Sequence, residues 1–282
     1  MVKIIADSTC DLSKELIEQY DISIIPLHIV LEEKEYKDGS EISPDEIYQW
    51  SDENKTTPKT SAPSIDDTMD VLRNIIDSGN EAVMFCISEK MSTTGNVFRM
   101  AAEELGAEDK VSVIDSANLS TGIGQLVIEA AMMAKEGKTR KEITVEMEHL
   151  KPLVRASFVV DTLVYLHRGG RCSSVAAMAG GILKLHPKIV VEEGAMEATK
   201  KYRGKMDSVI TNYAKDMEED LKNARKERVF ITHSGCTQEI IDRVYAYLEG
   251  LNHFDEILVT RAGGVISSHC GPGTLGVLYI ME

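Results

Sequence analysis

The chain has no excess of Lys and Arg. Its 31 basic residues are outnumbered by 46 Asp and Glu, giving a formal net charge of −15. Phosphate backbones are held by clustered cations, so no nucleic-acid partner is expected. No apolar run approaches the roughly 18 residues of a spanning helix, so no transmembrane segment is expected. The opening Met1-Val2-Lys3-Ile4-Ile5-Ala6 is too short for a secretion signal, and a charge interrupts it. The five cysteines, Cys10, Cys86, Cys172, Cys236 and Cys270, form no C-x-x-C pair. That argues against a zinc knuckle or redox dithiol and for free buried thiols in a reducing cytoplasm. No His, Asp and Glu group has metal-ligand spacing, and no G-x-S-x-G elbow is present. Aromatic residues are scarce, at 5% with one Trp, whereas Met reaches 13.

The chain does have the means to build a core. Of its 282 residues, 43% are hydrophobic and 27% charged, which suits about two globular domains and excludes a disordered chain. Strand-like and amphipathic helical runs alternate. Strands are expected over 3–6, 23–30, 82–87 and 111–114, and helices over 13–20, 66–78, 95–105 and 121–135. Thr139-Arg140-Lys141-Glu142 reads as a capping box opening a helix to about residue 150. This alternation predicts an α/β fold whose first domain, 1–155, is a mostly parallel sheet covered on both faces. From 156 to 282 the pattern predicts a second α/β domain with a mixed sheet. It holds an apolar run over 158–166, a turn at 168–171, a hairpin about Gly194, a helix over 207–223, strands at 229–232 and 257–260 around a helix over 238–248, and a last strand over 275–281.

Ligands of parallel α/β sheets bind beyond the carboxyl ends of the strands. The loops there are rich in hydroxyls: Asp7-Ser8-Thr9, Thr57–Ser64, Ser88, Ser92-Thr93-Thr94 and Asp115-Ser116. Any one of them can be a helix cap. Their recurrence points to an oxygen-rich ligand group at helix N-termini. Gly271-Pro272-Gly273-Thr274-Leu275-Gly276 fits the G-x-G-x-x-G pattern but precedes a strand, not a helix, so it is no dinucleotide site. It reads better as a tight turn holding His269. Arg168-Gly169-Gly170-Arg171 is either a solvated surface turn or a clamp for a carboxylate or phosphate.

Taken in order, the motifs Asp7-Ser8-Thr9-Cys10-Asp11-Leu12, Thr60-Ser61-Ala62-Pro63-Ser64, Met91-Ser92-Thr93-Thr94, Val113-Ile114-Asp115-Ser116, Arg168-Gly169-Gly170-Arg171, Lys184-Leu185-His186-Pro187-Lys188 and His269-Cys270-Gly271-Pro272-Gly273 resemble the DegV family across the whole chain. That family includes the fatty-acid-binding subunits of bacterial fatty acid kinase. The resemblance implies two α/β domains holding one long-chain fatty acid, whose carboxylate meets Thr60, Ser61, Ser92, Arg171, Arg203 and His269. It implies a carrier that presents the carboxyl group to a separate kinase catalytic subunit, which makes acyl phosphate from ATP. On this reading the chain has no catalytic nucleophile, metal or cofactor of its own. In this sequence Thr93 stands where the family pattern has Gly, and Ala62 where Gln is commoner. Met69, Met84, Met91, Met100, Met178 and Met217 are either a flexible acyl tunnel or, for most of them, ordinary core. The competing classes are a small-molecule hydrolase or phosphoryl transferase using Ser92 and His269, and a carrier of another amphiphile.

Overall fold

The computed structural model describes residues 1–176 and 185–282, so Met178 and Lys184 lie outside the described residues. The chain opens with β1 (Val2–Asp7), a 3-10 turn at Ser8–Cys10, α1 (Lys14–Gln19) and β2 (Ile22–Ile25). β3 (His28–Leu31), β4 (Lys34–Lys37), α2 (Pro44–Asn54) and β5 (Lys59–Ser61) follow. Then come α3 (Ile65–Asp77), β6 (Glu81–Cys86), α4 (Thr94–Glu104), β7 (Val111–Asp115), α5 (Thr121–Lys135) and α6 (Arg140–Leu150). The remainder comprises β8 (Val154–Val159), α7 (Val164–Gly169), α8 (Ser173–Ala176), β9 (Leu185–Glu192), β10 (Ala195–Arg203), α9 (Met206–Lys215), α10 (Glu218–Lys222), β11 (Arg228–Ser234), α11 (Gln238–Gly250), β12 (Glu256–Arg261), α12 (Gly264–Cys270) and β13 (Thr274–Ile280).

The fold is α/β. A four-stranded sheet in the order β2-β1-β6-β7 is parallel throughout. Alternation along the strands feeds two layers. Ile4, Ala6, Val83 and Phe85 pack with α5 and α6, whereas Ile5, Met84 and Cys86 pack with Leu72 and Ile75 of α3 and Phe98 of α4. The second sheet, β10-β9-β8-β13-β11-β12, is antiparallel except where β11 and β12 run together. One of its faces packs on α9, α10 and α11 through residues such as Val229, Ile231 and Val277. The other face shares a hydrophobic cluster with the first sheet. α5 is the common layer. Residues Thr121–Ile128 are all buried, and Gln125 Nε2 donates across to Leu278 O at 3.3 Å. A helix with no polar stripe belongs inside.

Several expectations are corrected. The run over 23–30 is two strands in different sheets. Pro26 has no N–H for a ladder, and the chain crosses there from β2 into the small antiparallel sheet β4-β3-β5. The loop expected over 57–64 contributes β5 to that sheet. The helix expected over 207–223 breaks into α9 and α10 at Asp216, whose carboxylate is drawn aside to Lys200 Nζ and Tyr202 Oη, each at 2.6 Å. The turn at 168–171 is the end of α7, closed by Gly170 in the left-handed region at φ 67. His269 is held by a helix, α12, and Gly271 at φ 76 ends it. β8 begins at Val154, which pairs with Ile280, close to the expected division after residue 155.

Candidate functional site: a lined cavity between the sheets

A cavity of about 420 Å³ opens beyond the carboxyl ends of β1 and β6. Its apolar walls are Leu27, Ile87, Met91, Leu119, Met196, Val265, Ile266 and Cys270. Its polar lining includes Thr60, Ser61, Ser92, Arg171 and His269, five of the six residues expected at a carboxylate. A narrower void of about 20 Å³ shares Leu119, Ile266 and Cys270 with it and runs between the sheets toward Phe158 and Leu278.

Each polar group is held by an element whose sequence explains it. Thr60 lies in the middle of β5, opposite Ile29. His269 is in the last turn of α12, which packs Val265 against Leu27, Ile29 and Ile47. These elements bring Thr60 Oγ1 to 2.8 Å from His269 Nε2. Burial, with the nearby Arg171 guanidinium, pushes His269 down to about 4. The imidazole is therefore neutral at neutral pH. Its Nδ1 is buried and has no partner among the described residues. Arg171, just past α7, donates to Gly169 O at 2.8 Å, which fixes the guanidinium at the mouth. Ser61 is exposed and donates to Glu35 Oε1 at 3.3 Å.

Ser92 Oγ accepts from Thr94 N at 3.3 Å and lies 2.9 Å from Thr94 Oγ1, closing a short turn just before α4, and it also lines the cavity. Thr93, in place of the family's Gly, sits at φ −91, a conformation open to a β-branched residue.

Arg203 is not among the described residues that line the cavity. Met196 lines the wall, and β10 runs on from it for seven more residues. At roughly 3.3 Å per residue this leaves Arg203 about 20 Å further along the strand, exposed and opposite Leu185. Of the methionines named from the sequence, Met84 and Met217 are core, Met69 is half-buried, Met100 is exposed and Met91 lines the cavity. Met196 lines it too, although nothing in the sequence marked it out. Lys90 at the mouth was also missed, and a lone Lys in a loop gives no signal. Cys270 read only as a buried thiol.

The comparisons with known proteins agree with this architecture. The family profile described as "Uncharacterised protein, DegV family" matches residues 1–282. A DegV domain-containing protein of Caldanaerobacter subterraneus is 31% identical, with 99% of this chain and 98% of that one covered. A DegV family protein of Thermus thermophilus, described for its fatty acid binding, superposes with a TM-score of 0.91 at 30% identity, covering 100% of this chain and 99% of that one. A stearic acid-binding protein of Eubacterium ventriosum gives a TM-score of 0.86 at 31% identity, covering 100% and 98%. DegV of Bacillus subtilis, a fatty acid binding protein, gives 0.86 at 27% identity, covering 100% and 99%. Among the described residues, no helix is long and apolar enough to cross a membrane. On its full-length family match and its 31% identity to curated relatives, this chain belongs to the DegV family.

Proposed function

We propose that this protein binds a long-chain fatty acid in the cavity, with its carboxylate at Thr60, Ser61, Ser92, Arg171 and His269. The observation that carries this reading is the Thr60–His269 pair at 2.8 Å with Arg171 at the mouth of an otherwise apolar pocket. An acyl chain gains about 0.8 kcal/mol for each methylene taken out of water. A buried carboxylate has to be compensated, and hydrogen bonds to a charged group contribute roughly 1.5–3 kcal/mol each. With the proton on Nε2, the neutral His269 donates to Thr60 Oγ1. The Thr60 hydroxyl hydrogen is then free for the ligand.

We further propose that the protein is a cytoplasmic carrier, which presents the carboxylate to a separate kinase catalytic subunit for conversion to acyl phosphate. The exposed Ser61, Lys90 and Arg171 support this, because a carboxylate bound beside them would lie at the surface end of the cavity. The enzymatic alternative fits less well. His269 Nε2 is engaged by Thr60 and Ser92 Oγ by Thr94, so among the described residues no base rests on the Ser92 hydroxyl.

Native mass spectrometry of the purified protein tests the reading. A co-purifying long-chain fatty acid is expected, and adding ATP with the kinase subunit is expected to yield acyl phosphate. Ester turnover by the protein alone, or no retention of oleate by the delipidated protein, would overturn it.

A further inference from the structure

The stretch Asp7-Ser8-Thr9-Cys10-Asp11 lines no part of the cavity, yet its side chains reach three of the cavity walls. Asp7 Oδ2 accepts the N–H of Ile87 at 2.7 Å, at the start of the loop leading to Ser92. Its Oδ1 accepts from Thr9 N at 2.9 Å and also from the Thr9 hydroxyl. Asp11 Oδ1 accepts the N–H of Gly263 at 2.8 Å, and Oδ2 accepts the Ser120 hydroxyl at 2.5 Å. Asp38, beyond β4, completes the set. Its Oδ1 accepts the N–H of Gly264 at 2.7 Å, and Oδ2 accepts the Ser8 hydroxyl at 2.8 Å. Ser8 Oγ in turn accepts the N–H of Leu27 at 3.1 Å. Ile87 and Leu27 are cavity wall, and Gly263 and Gly264 open the helix that ends at His269.

Three buried carboxylates gathered in this way are costly, and among the described residues none has an ion-pair partner. Burial pushes Asp7 up to about 6 and Asp11 up to about 8, and raises Asp38 as well. Hydrogen bonds from backbone N–H groups offset that cost. Those bonds bridge distant parts of the chain, Asp11 to Gly263 across 252 positions and Asp38 to Gly264 across 226. The two glycines admit the carboxylates. A Cβ on Gly263 would lie 3.2 Å from Asp11 Oδ1, and one on Gly264 2.9 Å from Asp38 Oδ1 and 2.5 Å from Ile29 Cδ1. α12 has seven residues, and its N-cap, Gly263, has no side chain to cap it. Asp11 and Asp38 supply side-chain acceptors at that end.

We propose that Asp11 and Asp38 are positioning residues that clamp the start of α12 and so hold His269 Nε2 on Thr60. Asp7 secures the Ser92 loop in the same way. The Asp-Ser-Thr-Cys-Asp motif is therefore a hub that sets the geometry of the head-group cage without touching its contents. The consequence for fatty-acid binding rests on the function proposed above, whereas the positioning itself does not.

The test uses the full-length, ligand-free protein. Asp38→Ala and Asp11→Ala remove the acceptors, and Asp38→Asn and Asp11→Asn retain a carbonyl oxygen. The readouts are the His269 ring nitrogen resonances and amide exchange along α12. Each Ala variant is expected to shift the ring signals and to speed exchange at 267–271 at least about tenfold, with β11 and β13 still protected. Each Asn variant is expected to restore both readouts. If an Ala variant loses protection in β11 and β13 it has unfolded, and Ser8→Ala, which removes one bond to Asp38, takes its place with a smaller shift of the same kind expected. Unchanged ring signals and exchange in every folded variant would overturn the proposal, as would Asn variants as disrupted as the Ala variants. Oleate and methyl oleate supply a second arm. The Ala variants are expected to lose at least about tenfold of the preference for oleate while retaining the ester. If the unaltered protein has no such preference, the head-group reading fails, and the ring signals and exchange still decide the positioning.

Discussion

Gly169 and Gly170 are adjacent, yet replacing each with Ala should have opposite signatures. Gly169 is the last residue of α7 and has helical backbone, so Ala is conformationally acceptable there. Its new Cβ, however, would lie 2.4 Å from His269 Nδ1, 3.3 Å from Cε1 and 3.4 Å from Cγ. The buried ring has to move, and it moves off Thr60. Overpacking of this kind costs about 1–3 kcal/mol. The helix preference of Ala over Gly returns up to about 1 kcal/mol. Gly169→Ala should therefore lose no more than about 3 kcal/mol of stability. Its affinity for oleate should fall about tenfold to a hundredfold, as expected when a hydrogen bond to a charged group worth roughly 1.5–3 kcal/mol is disturbed. Gly170 sits at φ 67 with nothing among the described residues within 4 Å of its Cβ position. Gly170→Ala should cost roughly 1–2 kcal/mol of stability through left-handed strain alone, with oleate affinity within about twofold of the parent. Urea unfolding and isothermal calorimetry with oleate measure the two quantities. Parent-like oleate binding by Gly169→Ala, with unshifted His269 ring resonances, would refute the reasoning. Equal weakening by both variants would trace the effect to loop shape and not to ring contact.

The other expectations concern charge and buried hydroxyls. His269 is held near 4 in the folded protein against about 6.5 when unfolded, so its contribution to stability is present above pH 6.5 and lost as pH falls toward 4, a change of about 3 kcal/mol. In urea unfolding, His269→Gln should gain on the parent over that interval, and parallel pH profiles would contradict this. Asp11 has the reverse sign. Its carboxyl is raised to about 8, so the burial penalty grows as pH rises from about 4 to 8, and Asp11→Asn should gain on the parent over that span. Tyr213 Oη donates to Ser157 O at 2.6 Å and accepts from Val277 N at 2.9 Å, so Tyr213→Phe should cost about 1–3 kcal/mol in urea unfolding, and a loss below about 0.5 kcal/mol would refute its structural role. Arg171→Ala and Ser92→Ala should weaken oleate binding about tenfold or more and leave methyl oleate unaffected. Arg203→Ala should leave both unchanged, and a loss with Arg203→Ala would return that residue to the site.

Periodicity made the outer layers readable. α3 and α6 have one buried face and clear caps, Ser64 accepting from Asp67 N and Thr139 from Glu142 N. α2 was open to the same reading, since Ser43 and Glu46 form a capping box that went unread. α12 carries no such signal. It is short and buried on nearly every side, so no polar stripe gives it a period. The break at Pro26 had a local cause, but that the chain changes sheets there is a tertiary fact. Thr60, Ser61, Ser92, Arg171 and His269 were named through a family resemblance, and their convergence on one cavity follows from topology. Arg203 shows the limit of that route. Its motif position is recognisable, but strand length carries it away from the pocket.

The pairing of Thr60 with His269 spans 209 positions of chain. Closure over such a separation is slow to form and belongs late in folding. During synthesis, the apolar walls contributed by Leu27, Ile87, Met91 and Leu119 are made long before Val265, Ile266 and Cys270. A nascent chain extended to residue 260 therefore has half a pocket with no lid and no imidazole. Until α12 emerges and docks, those apolar walls stay exposed to solvent.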